Sequence, residues 1–293
     1  MSDTVLAIDL GGTRYRAART SADAPAEIEP LGEVPAPASR AEFLSRVTEQ
    51  LAALGATRLG LGVPGLAIGT TCRWVPNLPW LDGLDLAAAL PGIGIGLGND
   101  AQLGLLAEAS AGAARGLNDA VLLAIGTGIG SAVLSGGRIV AGASGGACSF
   151  GWAAADPSDP GEDRSGWLER QASGRALDEA ARTLGLVDGT ALVAAARSGD
   201  AQARAALEPP MRALGTALAG AVALLDPEAI ILAGGVAAAL DVLAPLIRPA
   251  LQRHLPPHLR GVLLRAGEFG PRAGLVGAAF AGARGPIWRQ HNG

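Results

Sequence analysis

Short apolar runs, each closed by glycine or proline, recur along the chain and predict its elements. Val5 to Asp9 is a β-like run ending at the turn Gly11-Gly12, and Tyr15 to Arg19 reads as the return strand of a hairpin. Ile28 to Val34 predicts a third strand. Ser39 is a candidate N-cap for a helix through Leu54, with Glu42 three residues on as its capping-box partner. Arg58 to Val63 predicts the next strand, closed by Pro64-Gly65. A short helix over Leu84 to Leu90 follows, then a strand from Ile93 to Leu97 that leads through Gly98-Asn99-Asp100 into a helix over Ala101 to Ala114.

The second half repeats the opening pattern. Val121 to Ile125 and Ile129 to Leu134 flank another glycine turn, and Ser144 to Gly166, rich in Gly, Asp, Pro and Ser, reads as a long irregular excursion. Leu168 to Leu225 is helical, with breaks near Gly185 to Thr190 and Ser198 to Asp200. A strand over Ala229 to Leu232, a helix over Val236 to Leu251, a strand over Val262 to Arg265 and a closing helix over Ala273 to Ala281 complete the pattern. The fold class is α/β, in two mixed halves that each open strand, glycine turn, strand. The boundary between them is expected near Gly112 to Asn118.

Composition narrows the function. Hydrophobic residues make up 49% of 293 positions, enough for a large core and two domains. A net charge of -4 and scattered arginines give no electrostatic ground for a nucleic-acid partner. The N-terminal stretch does not read as a signal peptide, and the longest apolar runs carry glycine and are too short for membrane spans. A cytoplasmic protein without a membrane partner is expected. The two cysteines, Cys72 and Cys148, make neither a disulfide framework nor a closed zinc site.

The chain contains no lysine, which excludes a Walker A loop, a Schiff-base enzyme and a pyridoxal-phosphate enzyme. Its three histidines, His254, His258 and His291, lie far from every glycine turn. Catalysis must therefore come from Asp, Glu, backbone amides and a metal.

Three glycine turns carry the candidate chemistry: Asp9-Leu10-Gly11-Gly12-Thr13, Gly126-Thr127-Gly128-Ile129-Gly130 and Ala233-Gly234-Gly235-Val236. Glycines between strands let N–H groups converge on phosphate oxygens, and Gly234-Gly235 before a helix lets a ligand lie against the backbone. Each turn read alone is equally an ordinary hairpin or strand–helix connection. A strand follows the first turn where a dinucleotide fingerprint needs a helix. Asp9 could position Mg²⁺ through water, and Thr13 and Thr127 could donate hydroxyls.

Asp100, opening a helix, reads as a cap or N-terminal carboxylate and equally as a general base for a hydroxyl attacking a phosphate; the two readings are compatible, and the dipole is expected to lower its pKa. Glu169 either faces a cleft or pairs with Arg170 or Arg175 on a helix surface. Asn77, in Pro76-Asn77-Leu78-Pro79-Trp80, binds a hydroxyl pair or holds its turn. Trp80, Trp152 and Trp167 stack on a sugar or fill the core. Cys148 reads as an inert thiol.

Together these residues resemble the ROK family of sugar kinases within the actin-like ATPase superfamily. Asp9-Leu-Gly-Gly-Thr13 resembles its first phosphate motif, Gly126-Thr-Gly-Ile-Gly130 its second and Leu232-Ala-Gly-Gly-Val236 its adenosine motif. Gly62-Val-Pro-Gly65, Asn77-Leu-Pro-Trp80, Asn99-Asp100, Glu108 with Gly112, and Leu168-Glu169 with Ser173-Gly174 follow in the family's order. The resemblance implies two ribonuclease-H-like lobes around a central cleft. Residues 1–113 would form the smaller lobe, joined by a returning helix over 272–293, and residues 114–271 the larger.

It also implies ATP and Mg²⁺, with polyphosphate the alternative donor, a small sugar-like substrate and a homodimer. Asp100 becomes the catalytic base, and Asn99, Asn77, Gly65 and Glu169 line the sugar. Asp9 organises Mg²⁺ through water. Gly11, Gly12, Thr13, Arg14, Gly126, Thr127, Gly128, Gly130, Gly234 and Gly235 hold the nucleotide.

The chain departs from the family at its Gly-Glu-x-Gly-His element, which here reads Cys148-Ser149-Phe150-Gly151-Trp152. Ser149 thus replaces the sugar-binding glutamate and Trp152 the histidine. Asp156 to Gly166 lacks the cysteines that bind zinc in many members, so no zinc is expected and other contacts must order that loop. The altered sugar wall implies a modified hexose or a C7-cyclitol in place of plain glucose or N-acetylglucosamine. The competing readings are a weak or inactive sugar-binding sensor and a sugar-responsive repressor. The latter usually carries an N-terminal helix-turn-helix domain, for which a phosphate motif at residue 9 leaves no room.

Overall fold

The computed structural model describes residues 3–289. In chain order it runs β1 (Thr4–Leu10), β2 (Arg14–Ser21), β3 (Glu29–Pro35), α1 (Arg40–Leu54), β4 (Arg58–Val63), β5 (Leu66–Ile68), β6 (Thr71–Trp74), α2 (Leu86–Ala89), β7 (Gly94–Asn99) and α3 (Asp100–Ala111). Then come β8 (Ala120–Ile125), β9 (Ile129–Ser135), β10 (Arg138–Ile139), α4 (Trp167–Ala172), α5 (Gly174–Thr183), α6 (Gly189–Arg197), α7 (Ala201–Leu225), β11 (Ala229–Gly234), α8 (Leu240–Arg253), β12 (Leu263–Ala266) and α9 (Ala273–Arg284). The fold is α/β with two sheet-and-helix units. One comprises Met1–Leu117, Ala132–Ala147 and Pro271–Gly293, the other Asn118–Ser131 and Cys148–Gly270. Residues 290–293 of the expected returning segment, with His291, lie outside the described residues.

The first sheet has the order β3-β2-β1-β4-β7, with β1 antiparallel to β2 and parallel to β4. Alternation along β1 sends Leu6, Ile8 and Leu10 into a core shared with Tyr15 and with Phe43, Val47 and Leu51 of α1. The box predicted for α1 forms: Ser39 Oγ accepts from the Glu42 N–H at 3.2 Å, while Glu42 reaches back to the N–H of Ala38 at 2.9 Å.

The opposite face of the sheet carries glycines on β4 and β7, and α9 lies directly on it. A Cβ at Gly60 of β4 would stand 1.7 Å from the Ala278 carbonyl oxygen, and one at Gly277 of α9 would stand 1.8 Å from that of Leu103 in α3. The abundance of glycine and alanine is thus spent on backbone-to-backbone packing. The short hairpin β5–β6 was not expected from the pattern.

Trp288, 1% exposed, closes the end of the described chain. Its indole N–H donates to the Leu97 carbonyl at 2.9 Å, and its ring fills the space where a Cβ of Gly98 would be. Trp288→Ala is expected to cost about 3–5 kcal/mol through the cavity and the unpaired carbonyl, measured by denaturant unfolding.

In the second sheet, ordered β10-β9-β8-β11-β12, β11 runs parallel to both β8 and β12. Arg170 of α4 orders the loop before it, gripping Asp159 with distances of 2.6 and 2.7 Å and donating to the Ser165 carbonyl at 2.7 Å. Among the described residues no group of three or more His, Cys, Asp or Glu is placed to hold a metal ion. Arg170→Met is expected to speed proteolytic nicking between residues 156 and 165 several-fold, read by limited proteolysis and mass spectrometry.

Candidate active site

In the first unit, β1 delivers Asp9 to the strand end and the backbone reverses through Gly11-Gly12, with the Gly11 N–H bonded to the Arg14 carbonyl at 2.8 Å. Gly12 and Thr13 are exposed at the tip. Asn77 packs against this turn, its Cβ 2.9 Å from where a Cβ on Gly12 would stand. Its amide is exposed.

β7 delivers Asn99 and Asp100. The cap of α3 is Asn99, whose Oδ1 accepts from the N–H groups of Ala101 and Gln102 at 3.0 and 3.4 Å. Its Nδ2 donates to the Gly65 carbonyl at 3.2 Å, tying the Pro64-Gly65 turn to the helix start. Asp100 is thereby the first helical residue rather than the cap, and its side chain stays open to solvent.

The dipole of α3 does not win at Asp100. Desolvation by the surrounding protein, with the Asp9 charge second, pushes its carboxyl up to about 6 against the bonds from the Ala101 N–H and Asn99. The expected lowering is overturned because desolvation by the surrounding protein and the Asp9 charge outweigh the helix terminus. Desolvation also raises the Asp9 carboxyl, partly offset by Arg16. Gly274, in the first turn of α9, lies against the same carboxylate.

The second unit brings the other two turns together. Gly234 is paired with Ile125 across parallel β11 and β8, at φ 76°. A Cβ there would lie 2.6 Å from the Ile125 oxygen, so the third turn abuts the strand that feeds the second. Gly126 and Thr127 are exposed, and the Gly126 carbonyl accepts from the Gly174 N–H at 2.7 Å.

Glu169 takes the ion-pair reading offered by the sequence, with Arg175 as the partner. It pairs with Arg175 at 2.7 Å, and its carboxylate also lies against Gly128, so it stands behind the second turn. Arg175 itself donates to the Thr127 carbonyl at 3.1 Å. Ser149 is exposed and Trp152 is 51% exposed, whereas Trp167 is buried and Trp80 packs on Phe43 at 5.7 Å. Of the three tryptophans, Trp152 alone presents an open ring.

Arg16 escaped the sequence reading, and Arg175, named there only as a partner for Glu169, also reaches the second turn. Arg175 follows Ser173-Gly174 on a helix, with no local mark of its reach to Thr127. Arg16 was legible in principle, since the hairpin register places it opposite Asp9.

The profile of the ROK family matches residues 5–283, a span that includes all three turns. An N-acetylmannosamine kinase of Shigella flexneri is 33% identical over 293 residues, covering 94% of this chain and 97% of that protein. Among solved structures, a ROK hexokinase from Thermus thermophilus superposes with a TM-score of 0.75 at 29% identity, over 95% of this chain and 97% of its own. A ROK family glucokinase from Streptomyces griseus, solved with glucose and AMPPNP, gives 0.78 at 26% identity over 96% and 100%. With likeness running from the first strand to the last helix in both sequence and fold, the chain belongs to the ROK family.

Proposed function

We propose that this protein is an ATP-dependent kinase of small sugars, with Asp100 as its general base. The observation that carries the reading is Asp100 itself: an open carboxylate at a helix start, raised to about 6 beside Asp9, on a turn that Asn99 ties to Gly65. A base of that pKa is ionised at neutral pH yet avid enough to take a proton.

As the acceptor oxygen bonds to the γ-phosphorus, its proton passes to Asp100 and the bond to the ADP oxygen breaks. Asn77, Asn99 and the Gly65 turn orient the acceptor hydroxyls, and Ser149, Trp152 and Glu169 are further sugar contacts. The turns at Gly11-Gly12-Thr13-Arg14 and Gly126-Thr127-Gly128 with Gly130 receive phosphate oxygens, and Gly234-Gly235 the adenosine.

Mg²⁺ suits the donor set, because this ion is commonly held by one or two carboxylates together with waters and substrate phosphates. Asp9, at the strand end beside the phosphate turn, would hold it through water. The ion would supply charge neutralisation to the transferring phosphoryl group.

Ser149 and the open Trp152 ring support an acceptor other than plain glucose, either a modified hexose or a C7-cyclitol. A homodimer and a cytoplasmic location complete the proposal. No helix among the described residues is long and apolar enough to cross a membrane.

The test is Mg²⁺- and ATP-dependent transfer to hexoses, N-acetylmannosamine and other amino sugars, and C7-cyclitols, read by product mass beside Asp100→Asn. An Asp100-dependent product supports the kinase. ATP and sugar binding without any product would favour a sensor. Equal kcat/KM for glucose and the best alternative acceptor would sink the specificity claim, and sedimentation velocity checks the dimer.

A further inference from the structure

We propose that Arg16 is a phosphate ligand for the donor nucleotide, set beside Asp9 by strand pairing and oriented by Glu33. The proposal rests on the kinase reading above, and the residues that carry it all lie in the first unit.

Asp9 and Arg16 are direct partners in the antiparallel ladder of β1 and β2, so their side chains share a face of the sheet. The Arg16 Nη1 lies 3.4 Å from Asp9 Oδ2, a contact long enough to screen the carboxylate without saturating it. Its Nε donates to Glu33 Oε2 at 2.9 Å. Glu33 also takes Arg14 Nη1 on its other oxygen, so one carboxylate on β3 anchors two guanidinium groups beside the first glycine turn.

A guanidinium has five N–H donors in a fixed planar fork. At Arg16 two of them are engaged by Glu33 and Asp9, and the others have no protein partner among the described residues. The side chain is 36% exposed, so these donors remain open to a ligand. An exposed ion pair contributes little to stability, so folding alone does not account for the placement of the fork beside the turn.

The electrostatics of the turn need such a group. A triphosphate brought to Gly11-Gly12 arrives near two carboxylates, Asp9 and Asp100, whose charges already repel one another. The chain has no lysine to offset them. Arg14 and Arg16, two residues apart on the strand that leaves the turn, supply the countercharge in a geometry suited to phosphate oxygens.

The experiment measures binding of AMPPNP with Mg²⁺ to the full chain by calorimetry, alongside thermal melting. Arg16→Ala is expected to weaken nucleotide binding about 10- to 100-fold, the scale of lost charge-assisted hydrogen bonds, with acceptor affinity and melting near those of the wild type. Arg16→Lys, which keeps the charge without the fork, should fall between. Glu33→Gln, which loosens the anchor, should weaken binding several-fold. Wild-type affinity in Arg16→Ala overturns the proposal and leaves the kinase reading standing. If that variant fails to fold, wild-type affinity in Arg16→Lys overturns it equally. A wild-type protein that binds no nucleotide overturns both. Binding that depends on Arg16 without phosphoryl transfer supports Arg16 and sinks the kinase reading alone.

Discussion

Asp100→Asn is expected to lower kcat by about 10²-fold or more while the protein stays folded, because Asn cannot accept the acceptor's proton. The substitution keeps the size of the side chain and leaves Asn99 to cap α3. With the native carboxyl at about 6, wild-type kcat/KM should fall about tenfold per pH unit once the pH drops below about 6, as the base becomes protonated.

Stability should move the other way. The native pKa stands above the ordinary 3.8, so across the window between them the folded state binds more protons than the unfolded chain. Stability attributable to Asp100 therefore declines as pH rises from about 4 to about 6. A neutral Asn removes that penalty, and the variant should melt no lower than wild type at pH 7. A rate profile level down to pH 5, or near-normal turnover in a folded Asp100→Asn protein, would remove Asp100 from the role.

Gly277→Ala is the second large effect. The added methyl would stand 1.8 Å from the Leu103 oxygen, a main-chain atom that cannot rotate away. Either α3 or α9 must shift, and α9 is pinned on its other side by the approach of Ala278 to Gly60. We expect a loss of about 3 kcal/mol or more and a fall of roughly 10 °C in melting temperature. Catalysis should suffer with it, since Gly274 of the same helix lies against Asp9. An unchanged Tm would mean that the helices adjust without cost.

The sequence reading succeeded where structure is local. Ser39 and Glu42 announced the start of α1, and each glycine turn was visible because the residues that need the turn are the residues that make it. It failed where a feature depends on residues far apart in the chain. Nothing near Trp288 shows that its ring replaces the missing side chain of Gly98. The β5–β6 hairpin has strands too short to establish an alternating pattern. The pKa of Asp100 was misjudged because the dipole is written in its own helix, whereas desolvation and the Asp9 charge come from elsewhere. Glu169 was left open between two roles, and the structure shows one of them, the pair with Arg175, six residues on.

The placement of α9 bears on how the protein is made. Strands β1, β4 and β7 emerge early in synthesis, but the helix that covers one face of them is encoded after every element of the second unit. The nascent first unit must therefore wait with that glycine-lined face uncovered while the second unit is translated and can fold. On the ribosome, the part of the enzyme that begins first finishes last.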